Sequence, residues 1–442
     1  MHASQTVSQG NPARNAARAQ SYPKAELILL FIVLMMFSEG LLPRLFDAEE
    51  SPEGSPILRL MWLPVYATTL CLIAWKAKET ARTLLRMPFM IGLVGLAALS
   101  FLWSIDPALS QRRGIAIVMS TLAGIWIGTR YDWRTLLRTL GLVWVTVAII
   151  GTLTALLNPA FGVMTEIHVG AWKGLYYEKN QLGGHMARAA FLTAFLFLMD
   201  RQWRPIWGAG VAVSTLMVIM TTSKTSLLGL LLGFGVIAIA LWMKRGRVTG
   251  ITLTWLGTVI GGTVIGALVF APDVVFDLLG RDASLTGRTD IWAVLAQDIA
   301  ERPWLGYGYG SFWMLDSEPA YWLREVLEWE APTAHNGWLE VAIALGLTGL
   351  ACLILDFALT VWRAVRASID SWAGVFALGV CTQFMLFSIS ESIALMQNSL
   401  VWLTYVIVAA KLANTPDSLL PLRGIRLRRP LRMLTSDAAY KG

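Results

Sequence analysis

Long apolar stretches separated by short polar segments dominate the chain between residues 25 and 412. A membrane-spanning helix needs about 20 mostly apolar residues, and twelve stretches approach or reach that length. The pattern therefore predicts an all-α polytopic integral membrane protein with about 12 transmembrane helices. The predicted spans are 25–43, 57–75, 87–103, 114–129, 135–157, 184–200, 205–222, 226–243, 249–270, 338–359, 372–390 and 395–412.

The composition excludes most other classes of protein. Of the 442 residues, 56% are hydrophobic and 15% are charged, whereas a typical soluble domain has roughly 25% charged residues. The same composition excludes disorder, collagen, a disulfide scaffold and a coiled coil. The 20 tryptophans fit a membrane protein, because Trp gathers at membrane interfaces. The first apolar stretch leads into further spans, so we expect no cleavable signal peptide.

The predicted spans divide the chain into five parts. A disordered tail (1–24) precedes transmembrane helices 1–9 (25–270), a long loop (271–337), transmembrane helices 10–12 (338–412) and a basic tail (413–442). A cytoplasmic N-terminus places 24 of the 36 Lys and Arg residues on the cytoplasmic side, as the positive-inside rule requires. Both termini are therefore predicted to be cytoplasmic. The basic tail then contacts the anionic inner leaflet, and no nucleic acid is needed to explain it.

The long loop, residues 271–337, lies on the periplasmic side in this topology. Within it, 287–303 and 320–330 carry apolar side chains on one face, which is the pattern of an amphipathic helix. A segment rich in Gly and aromatic residues, 305–313, lies between them. The loop is therefore predicted to fold as a small cap of amphipathic helices, whose apolar faces can rest on the membrane surface.

His335 is the sharpest candidate for chemistry. It is one of four histidines and opens the tenth predicted span, at the depth of the membrane surface beneath the cap. A histidine in that position can take a proton from an acceptor hydroxyl as a general base. The alternative is an interfacial or helix-capping histidine, which is the more frequent case on position alone. The next residue, Asn336, is a candidate for substrate binding.

Several basic residues lie outside the membrane or within a span, against the usual bias, and an anionic ligand would explain them. Arg288 precedes the first cap helix, where a guanidinium and helix N-terminal amides can bind an anion. Its alternative is a solvated charge paired with a loop acid. Lys224 lies in a short turn between two apolar spans, where an idle charge is unfavourable. Arg112 and Arg113 begin the fourth span, where at least one of them can be a structural cap or salt-bridge partner.

Lys179 and Asn180 follow a second, shorter outer loop. Amide side chains suit sugar hydroxyls, and the nearby Trp172, Tyr176 and Tyr177 can stack on sugar faces. The alternative is a set of interfacial aromatic residues, which are common. The chain has no DxD pair, no clustered His/Cys set, no P-loop and no GxGxxG. We therefore expect no metal site, no cofactor and no use of a nucleotide.

Six segments resemble the O-antigen ligase/polymerase superfamily, which includes WaaL-type ligases and Wzy- or ExoQ-type polymerases. The most specific part is the combination of TGRTDIW and HNGWLE with a long outer loop late in a twelve-span chain. The resemblance covers roughly residues 90–400. The segments are LSFLWSIDP (99–107), YEKNQLGG (177–184), TSKTS (222–226), LTGRTDIW (285–292), RPWLGYGYGSFW (302–313) and AHNGWLEVAIALGLTGL (334–350).

The resemblance implies a GT-C-like glycosyltransferase of the bacterial inner membrane. Such an enzyme passes a glycan from an undecaprenyl-diphosphate carrier to an acceptor sugar on the periplasmic side, without a metal and with inversion. By motif, His335 would be the base, and Arg288 would bind diphosphate or hold the cap in place. Lys224 stands where ligases usually carry Arg, and Lys keeps the charge but loses the bidentate fork. The remaining candidates for the diphosphate site are Arg112, Arg113 and Arg302.

The segments LSFLWSIDP, SKTS and LGYGYGSFW look most like the exopolysaccharide-polymerase branch. The first hypothesis is therefore polymerisation of exopolysaccharide or O-antigen repeat units, in partnership with a flippase and a chain-length regulator. The alternative within the superfamily is a ligase that transfers the polysaccharide to lipid A–core. An alternative of another class is a lipid-glycan flippase or secondary transporter. Against it, no internal repeat is evident and the spans are nearly free of charge apart from Arg188 and their ends.

Overall fold

The computed structural model describes residues 22–46, 55–166, 168–243, 288–328 and 330–414. Within these ranges the chain is helical, with no β-strand. The predicted ninth span, the first part of the predicted long loop and most of both predicted tails lie outside the described residues.

Sixteen α-helices are present in the described ranges, and a short 3-10 turn, Ser100–Leu102, follows the fifth. They are α1 (Lys24–Met36), α2 (Leu41–Leu45), α3 (Pro56–Trp75), α4 (Ala77–Leu84), α5 (Pro88–Leu99), α6 (Pro107–Arg130), α7 (Trp133–Leu157), α8 (Pro159–Gly162), α9 (Lys179–Met199), α10 (Arg204–Met220), α11 (Lys224–Met243), α12 (Arg288–Glu301), α13 (Glu318–Leu327), α14 (Gly337–Asp370), α15 (Trp372–Ser390) and α16 (Leu400–Ala413).

Six of these helices are long and apolar enough to cross a membrane. A seventh span is possible if α4 and α5, which meet at a bend of 97°, count as one. Two further apolar helices, α10 and α16, are shorter. The chain is thus a multi-pass membrane protein, while the full number of twelve spans and the GT-C-like assignment remain predictions. The six are α3, α7, α9, α11, α14 and α15.

The bundle has an inner helix, α9, and a lipid-facing periphery. In the most apolar stretch of α9, 72% of the residues are buried, compared with 17% in α3. The outer face of α3 exposes large apolar side chains, among them Leu60 and Leu63. Such an apolar face is suited to contact with the hydrocarbon chains of lipids. Inside, Gly379 of α15 lets Phe191 of α9 approach so closely that a Cβ there would lie 2.0 Å from the ring.

The basic segments predicted to be cytoplasmic meet at one end of the bundle. Arg363 donates to the carbonyl of Arg86 (2.9 Å), and Arg86 donates to the carbonyl of Ala413 (3.3 Å). At the same end, Lys411 donates to the carbonyl of Tyr131. The polar groups of this end therefore satisfy one another next to the helix termini. The cap lies at the other ends of the same helices.

A kink in α14 fastens the cap to the bundle. Gly346 has φ +65°, and at this point the helical backbone bonding is interrupted. The cap segment supplies partners for the released groups, because Leu347 N donates to the carbonyl of Pro303 (2.7 Å) and Tyr307 N to that of Ile343 (2.9 Å). A Cβ at Gly346 would lie 2.3 Å from the carbonyl carbon of Trp304. The predicted cap helices are present as α12 and α13, although α13 ends at Leu327 rather than at 330.

Two helix boundaries differ from those of the predicted spans. The last predicted span starts at 395, but α16 starts at Leu400, and residues 391–399 form an irregular loop with Leu395 and Asn398 at positive φ. The tenth predicted span ends at 359, but α14 continues to Asp370. Hydropathy alone extends an apolar run into a loop and stops where a helix leaves the apolar region.

Candidate functional site

His335 is held between the cap and the first turn of α14. Its backbone has φ +47°, which is uncommon for a residue with a side chain. On one side, the indole of Trp292 in α12 donates to the carbonyl of Ala334 (2.9 Å). On the other side, Asn336 Oδ1 accepts from the backbone N–H groups of Trp338 (3.0 Å) and Leu339 (3.2 Å). Asn336, predicted to bind substrate, is therefore the N-cap of α14.

A carboxylate faces His335. Glu391 lies in the loop between α15 and α16, and its Oε2 is 3.6 Å from His335 Nδ1. Its other oxygen, Oε1, is 3.3 Å from Arg288 Nη2. Arg288 also donates through Nη1 to the carbonyl of Ser390 (2.7 Å). Arg288 and His335, which the sequence predicts as catalytic, are thus brought together by a residue that the sequence does not single out.

A second carboxylate, Glu340, ties the loops around His335. Its Oε2 accepts from the backbone N–H of Ala334 (3.1 Å) and from the hydroxyl of Ser392 (3.3 Å). Because Ala334 precedes His335 and Ser392 follows Glu391, one side chain fixes both loops that meet at the site. Glu340 was not predicted from the sequence either.

Arg113 contacts the cap rather than standing open to solvent. Its Nη1 donates to the carbonyl of Gly310 (2.5 Å), in the aromatic segment between α12 and α13. The same segment is fixed by Tyr309, whose hydroxyl lies 2.5 Å from the carbonyl of Leu395. Arg113 therefore has a structural contact of the kind expected for at least one of the two arginines, while Arg112 is exposed.

Lys179 is the first residue of α9, and Lys224 is the first residue of α11. The side chain of Lys179 reaches the turn between α10 and α11. Lys179 Nζ lies 3.4 Å from the hydroxyl of Thr222, which has φ +52°. Lys224 is exposed. Asn180, the second residue of α9, is partly buried beside Lys179. Lys179 and Lys224 therefore bring positive charge to the N-termini of two helices, and Thr222 connects them through its contact with Lys179.

Arg188 is a further basic residue of α9, and two acids accompany it. It lies on α9 with its guanidinium carbon 4.3 Å from the ring centre of Phe387 in α15, one turn before Glu391. Arg188 interacts electrostatically with Glu391 and with Glu39. Its charge inside a predicted span is visible in the sequence, but the sequence does not reveal the two acids that accompany it.

Arg302 lies in a different environment. Its guanidinium packs 4.7 Å from the ring centre of Tyr307 and lines a cavity of about 610 Å³. The carboxylates of this cavity disfavour an anionic ligand such as a diphosphate. Burial, together with the charge of Glu301, raises the pKa of Asp298 to about 6. The other acidic residues that line the cavity are Asp106, Asp316 and Glu318.

Within the described ranges, no group of three or more His, Cys, Asp or Glu side chains has the arrangement of a metal site. The chemistry that these residues offer is a histidine beside a carboxylate, with arginines and lysines around them. This set can exchange a proton and neutralise an anion.

The bundle, the cap and the group around His335 define a multi-pass membrane protein with a covered polar site at one end. A family model described as O-antigen ligase matches residues 209–354. The chain is also 26% identical, over 273 residues, to the exopolysaccharide production protein ExoQ of Rhizobium meliloti (strain 1021). That match covers 59% of this chain and 61% of the relative, so the chain spans about three fifths of the relative's length. These matches confirm the resemblance of the chain to the O-antigen ligase/polymerase superfamily. Within that superfamily the chain resembles ExoQ.

The family match covers only part of the site. It includes Lys224, Arg288, Arg302 and the pair His335 and Asn336. It starts after Lys179 and Asn180, and after Arg112 and Arg113, and it stops before Glu391. The contacts of Glu391 are therefore a feature of this structure that the family match leaves aside.

Proposed function

We propose that this protein is a membrane glycosyltransferase that polymerises exopolysaccharide or O-antigen repeat units. It transfers a glycan from an undecaprenyl-diphosphate carrier to a sugar hydroxyl on the periplasmic side. The observation that carries the proposal is the placement of His335 beneath the cap, with Glu391 3.6 Å from Nδ1 and Arg288 on the same carboxylate. The ExoQ-like sequence supports the polymerase branch.

In the proposed reaction, the acceptor hydroxyl attacks the anomeric carbon of the carrier-linked sugar. The bond to the acceptor oxygen forms as the bond to the diphosphate oxygen breaks, and His335 takes the hydroxyl proton as general base. Negative charge develops on the leaving diphosphate. Basic groups aimed at that charge stabilise the transition state without a metal ion.

The basic groups divide into two roles. Lys179, Lys224 and Arg188 are the residues we assign to the diphosphate, because they bring positive charge to helix starts and to the inner helix α9. Arg288 is assigned to holding the cap, because its terminal nitrogens Nη1 and Nη2 face oxygens of Ser390 and Glu391. The resemblance leaves both roles open for Arg288, and these contacts favour the structural one.

The two ends of the bundle support the proposed orientation in the membrane. Basic contacts among Arg86, Arg363 and the end of α16 collect at the end opposite the cap. The positive-inside rule favours a cytoplasmic location for that end, and in our proposal the cap therefore lies on the periplasmic face of the inner membrane. Both termini are then cytoplasmic. A flippase that delivers carrier-linked units and a chain-length regulator are the partners that such a polymerase needs.

A ligase is the second candidate, because the matching family model is described as O-antigen ligase. Both enzymes use the same lipid-linked donor and the same base. They differ in the acceptor, which is a carrier-linked repeat unit for the polymerase and lipid A–core for the ligase. The contacts around His335 serve either acceptor hydroxyl equally well.

The test is complementation of a strain that lacks this protein with wild type and with His335→Ala, at matched membrane expression. Secreted polymer and the lipopolysaccharide ladder are scored together. His168→Ala is the matched control, because His168 also has positive φ but is exposed in another loop. Loss of secreted polymer in His335→Ala alone, with an intact ladder, supports the polymerase. Loss of attachment to lipid A–core favours the ligase, and full activity of His335→Ala contradicts both.

A further inference from the structure

Glu391 has a fixed position between a histidine and an arginine. Its backbone N–H donates to the carbonyl of Phe387 (2.8 Å), and its carbonyl accepts from Ile393 N–H (2.9 Å), so the backbone on both sides is held. The side chains of Glu391 and His335 are largely buried, with exposed fractions of 21% and 16%. A carboxylate in such a place needs partners, and each of its two oxygens faces one.

We propose that Glu391 is the positioning residue of the base, selecting the tautomer and orientation of His335. This inference rests on the proposed function. A carboxylate at Nδ1 favours the neutral imidazole that carries its proton on Nδ1, which leaves the lone pair on Nε2 as the basic site. When Nε2 takes the proton of the acceptor hydroxyl, the same carboxylate stabilises the imidazolium.

The gap between the carboxylate and the imidazole is small. At 3.6 Å, Oε2 and Nδ1 are beyond hydrogen-bond range by several tenths of an ångström. Catalytic hydrogen bonds are often long in the absence of ligand and tighten in the substrate complex. A movement of the imidazole by a few tenths of an ångström toward Oε2 closes the gap.

Arg288 makes the arrangement depend on the cap. It occupies Oε1 of Glu391 and leaves Oε2 toward His335. Arg288 is the first residue of α12, so seating of the cap and orientation of the base share one carboxylate. Glu340 also interacts with His335 electrostatically, and its Oε2 accepts from Ala334 and Ser392. Arg188 of α9 interacts electrostatically with Glu391.

The test uses the full chain in detergent or liposomes with carrier-linked repeat units, and kcat, KM and the pH profile are measured for Glu391→Gln. Gln keeps the shape and can still accept from Arg288, but it lacks the charge that orients the imidazole. We expect kcat to fall by about 10- to 100-fold with KM nearly unchanged, a part of the 10²–10⁴ that general base catalysis provides. The acidic limb of the profile should move to lower pH, because the imidazolium loses its carboxylate. Glu391→Asp keeps the charge and should recover part of kcat.

The companion variants separate the possible failures. If His335→Gln remains active, the proposed function itself fails. If His335→Gln is inactive while Glu391→Gln has wild-type kcat and an unmoved pH profile, the proposed function stands and the role of Glu391 is overturned.

A role of Glu391 limited to holding Arg288 is tested by a double-mutant cycle. In the Arg288→Gln background, a further loss of kcat on adding Glu391→Gln supports the direct action on His335. No further loss would mean that Glu391 acts only through the cap, which overturns the proposal. If Glu391→Gln gives no folded protein, Glu391→Asp is used in its place. This variant keeps the charge, so a direct role requires that the acidic limb of its pH profile stay near that of wild type.

Discussion

Trp292 of the cap donates its indole N–H to the carbonyl of Ala334, the residue directly before His335, at 2.9 Å. The first cap helix is thus bonded to the backbone that carries the proposed base, His335. Together with the Arg288–Glu391 pair at 3.3 Å, it gives the cap two polar attachments, one to the residue before His335 and one to the carboxylate that faces it. A change that weakens either attachment of the cap should therefore lower the activity.

Trp292→Phe tests this attachment. The ring is kept but the donor is removed, which leaves the carbonyl of the fully buried Ala334 without this bond, at a cost of about 1–2 kcal/mol in stability. We expect a fall in kcat of up to about 10-fold, because small displacements of a catalytic group are costly. The readouts are kcat and the melting temperature in detergent. Trp322→Phe changes an exposed tryptophan of α13 and should leave both near wild type, and equal effects of the two changes would refute the attachment.

The raised pKa of Asp298 predicts that the stability of the cap depends on pH. Burial, helped by the charge of Glu301, raises its pKa from 3.8 to about 6, so the folded state binds the proton more tightly than the unfolded state. The stabilisation is fully present below about pH 4 and is lost as the pH rises through 6. Asp298→Asn should therefore stabilise the protein at pH 7 and confer little advantage at pH 4. Melting temperatures across this window provide the measurement.

The matched control for Asp298 is Asp316→Asn, which removes the same charge from an exposed position lining the same cavity. A gain at pH 7 that is as large for Asp316→Asn would show that net charge in the cavity, and not the burial of Asp298, is responsible.

Gly346→Ala should disrupt the junction between α14 and the cap. Alanine at φ +65° is strained, and its Cβ would lie 2.3 Å from backbone of Trp304, which cannot move as a side chain would. The expected loss is roughly 3 kcal/mol or more, seen as a poor yield of monodisperse protein and a lower melting temperature. Gly95→Ala is the control, since no atom lies within 4 Å of its added Cβ and a helical Gly→Ala change favours the helix. A Gly346→Ala protein as stable as Gly95→Ala would contradict the strained junction.

The apolar pattern predicted the helices well where a span is bounded by polar residues at both ends. The spans predicted at 135–157 and 372–390 correspond to Trp133–Leu157 and Trp372–Ser390. The pattern failed at 395–399, because an apolar run can be a loop when tertiary contacts hold it. There, Tyr309 of the cap reaches the carbonyl of Leu395.

The site was predictable only in part, for an identifiable reason. His335 and Arg288 stand out in the sequence as a scarce residue type and as a basic residue against the positive-inside bias. Glu391 does not stand out, since that rule says little about acids. Its meaning depends on a fold that brings together Arg288 and Glu391, 103 positions apart in the chain. Asn336 shows a different limit, because the sequence did not reveal that its side chain caps α14, while its predicted role in substrate binding stays a prediction.

Lys179→Gln tests the assignment of the diphosphate to the basic group at the starts of α9 and α11. Lys179 lies 3.4 Å from Thr222 in the turn that leads to Lys224, so its loss removes charge where two helix N-termini already favour an anion. A charge-assisted hydrogen bond contributes about 1.5–3 kcal/mol, so we expect KM for the carrier-linked donor to rise by about 10-fold or more. Steady-state kinetics with donor concentration varied at fixed acceptor provide the measurement.

Lys173→Gln is the control for that change, because it removes the same charge from the preceding outer loop. Adding Lys224→Gln to Lys179→Gln should cost less than the sum of the two single changes, since both lysines would contact one diphosphate. A purely additive effect, or a KM that rises for the acceptor instead of the donor, would place the diphosphate elsewhere. Arg188, which interacts electrostatically with Glu391, would then be tested separately from the two lysines.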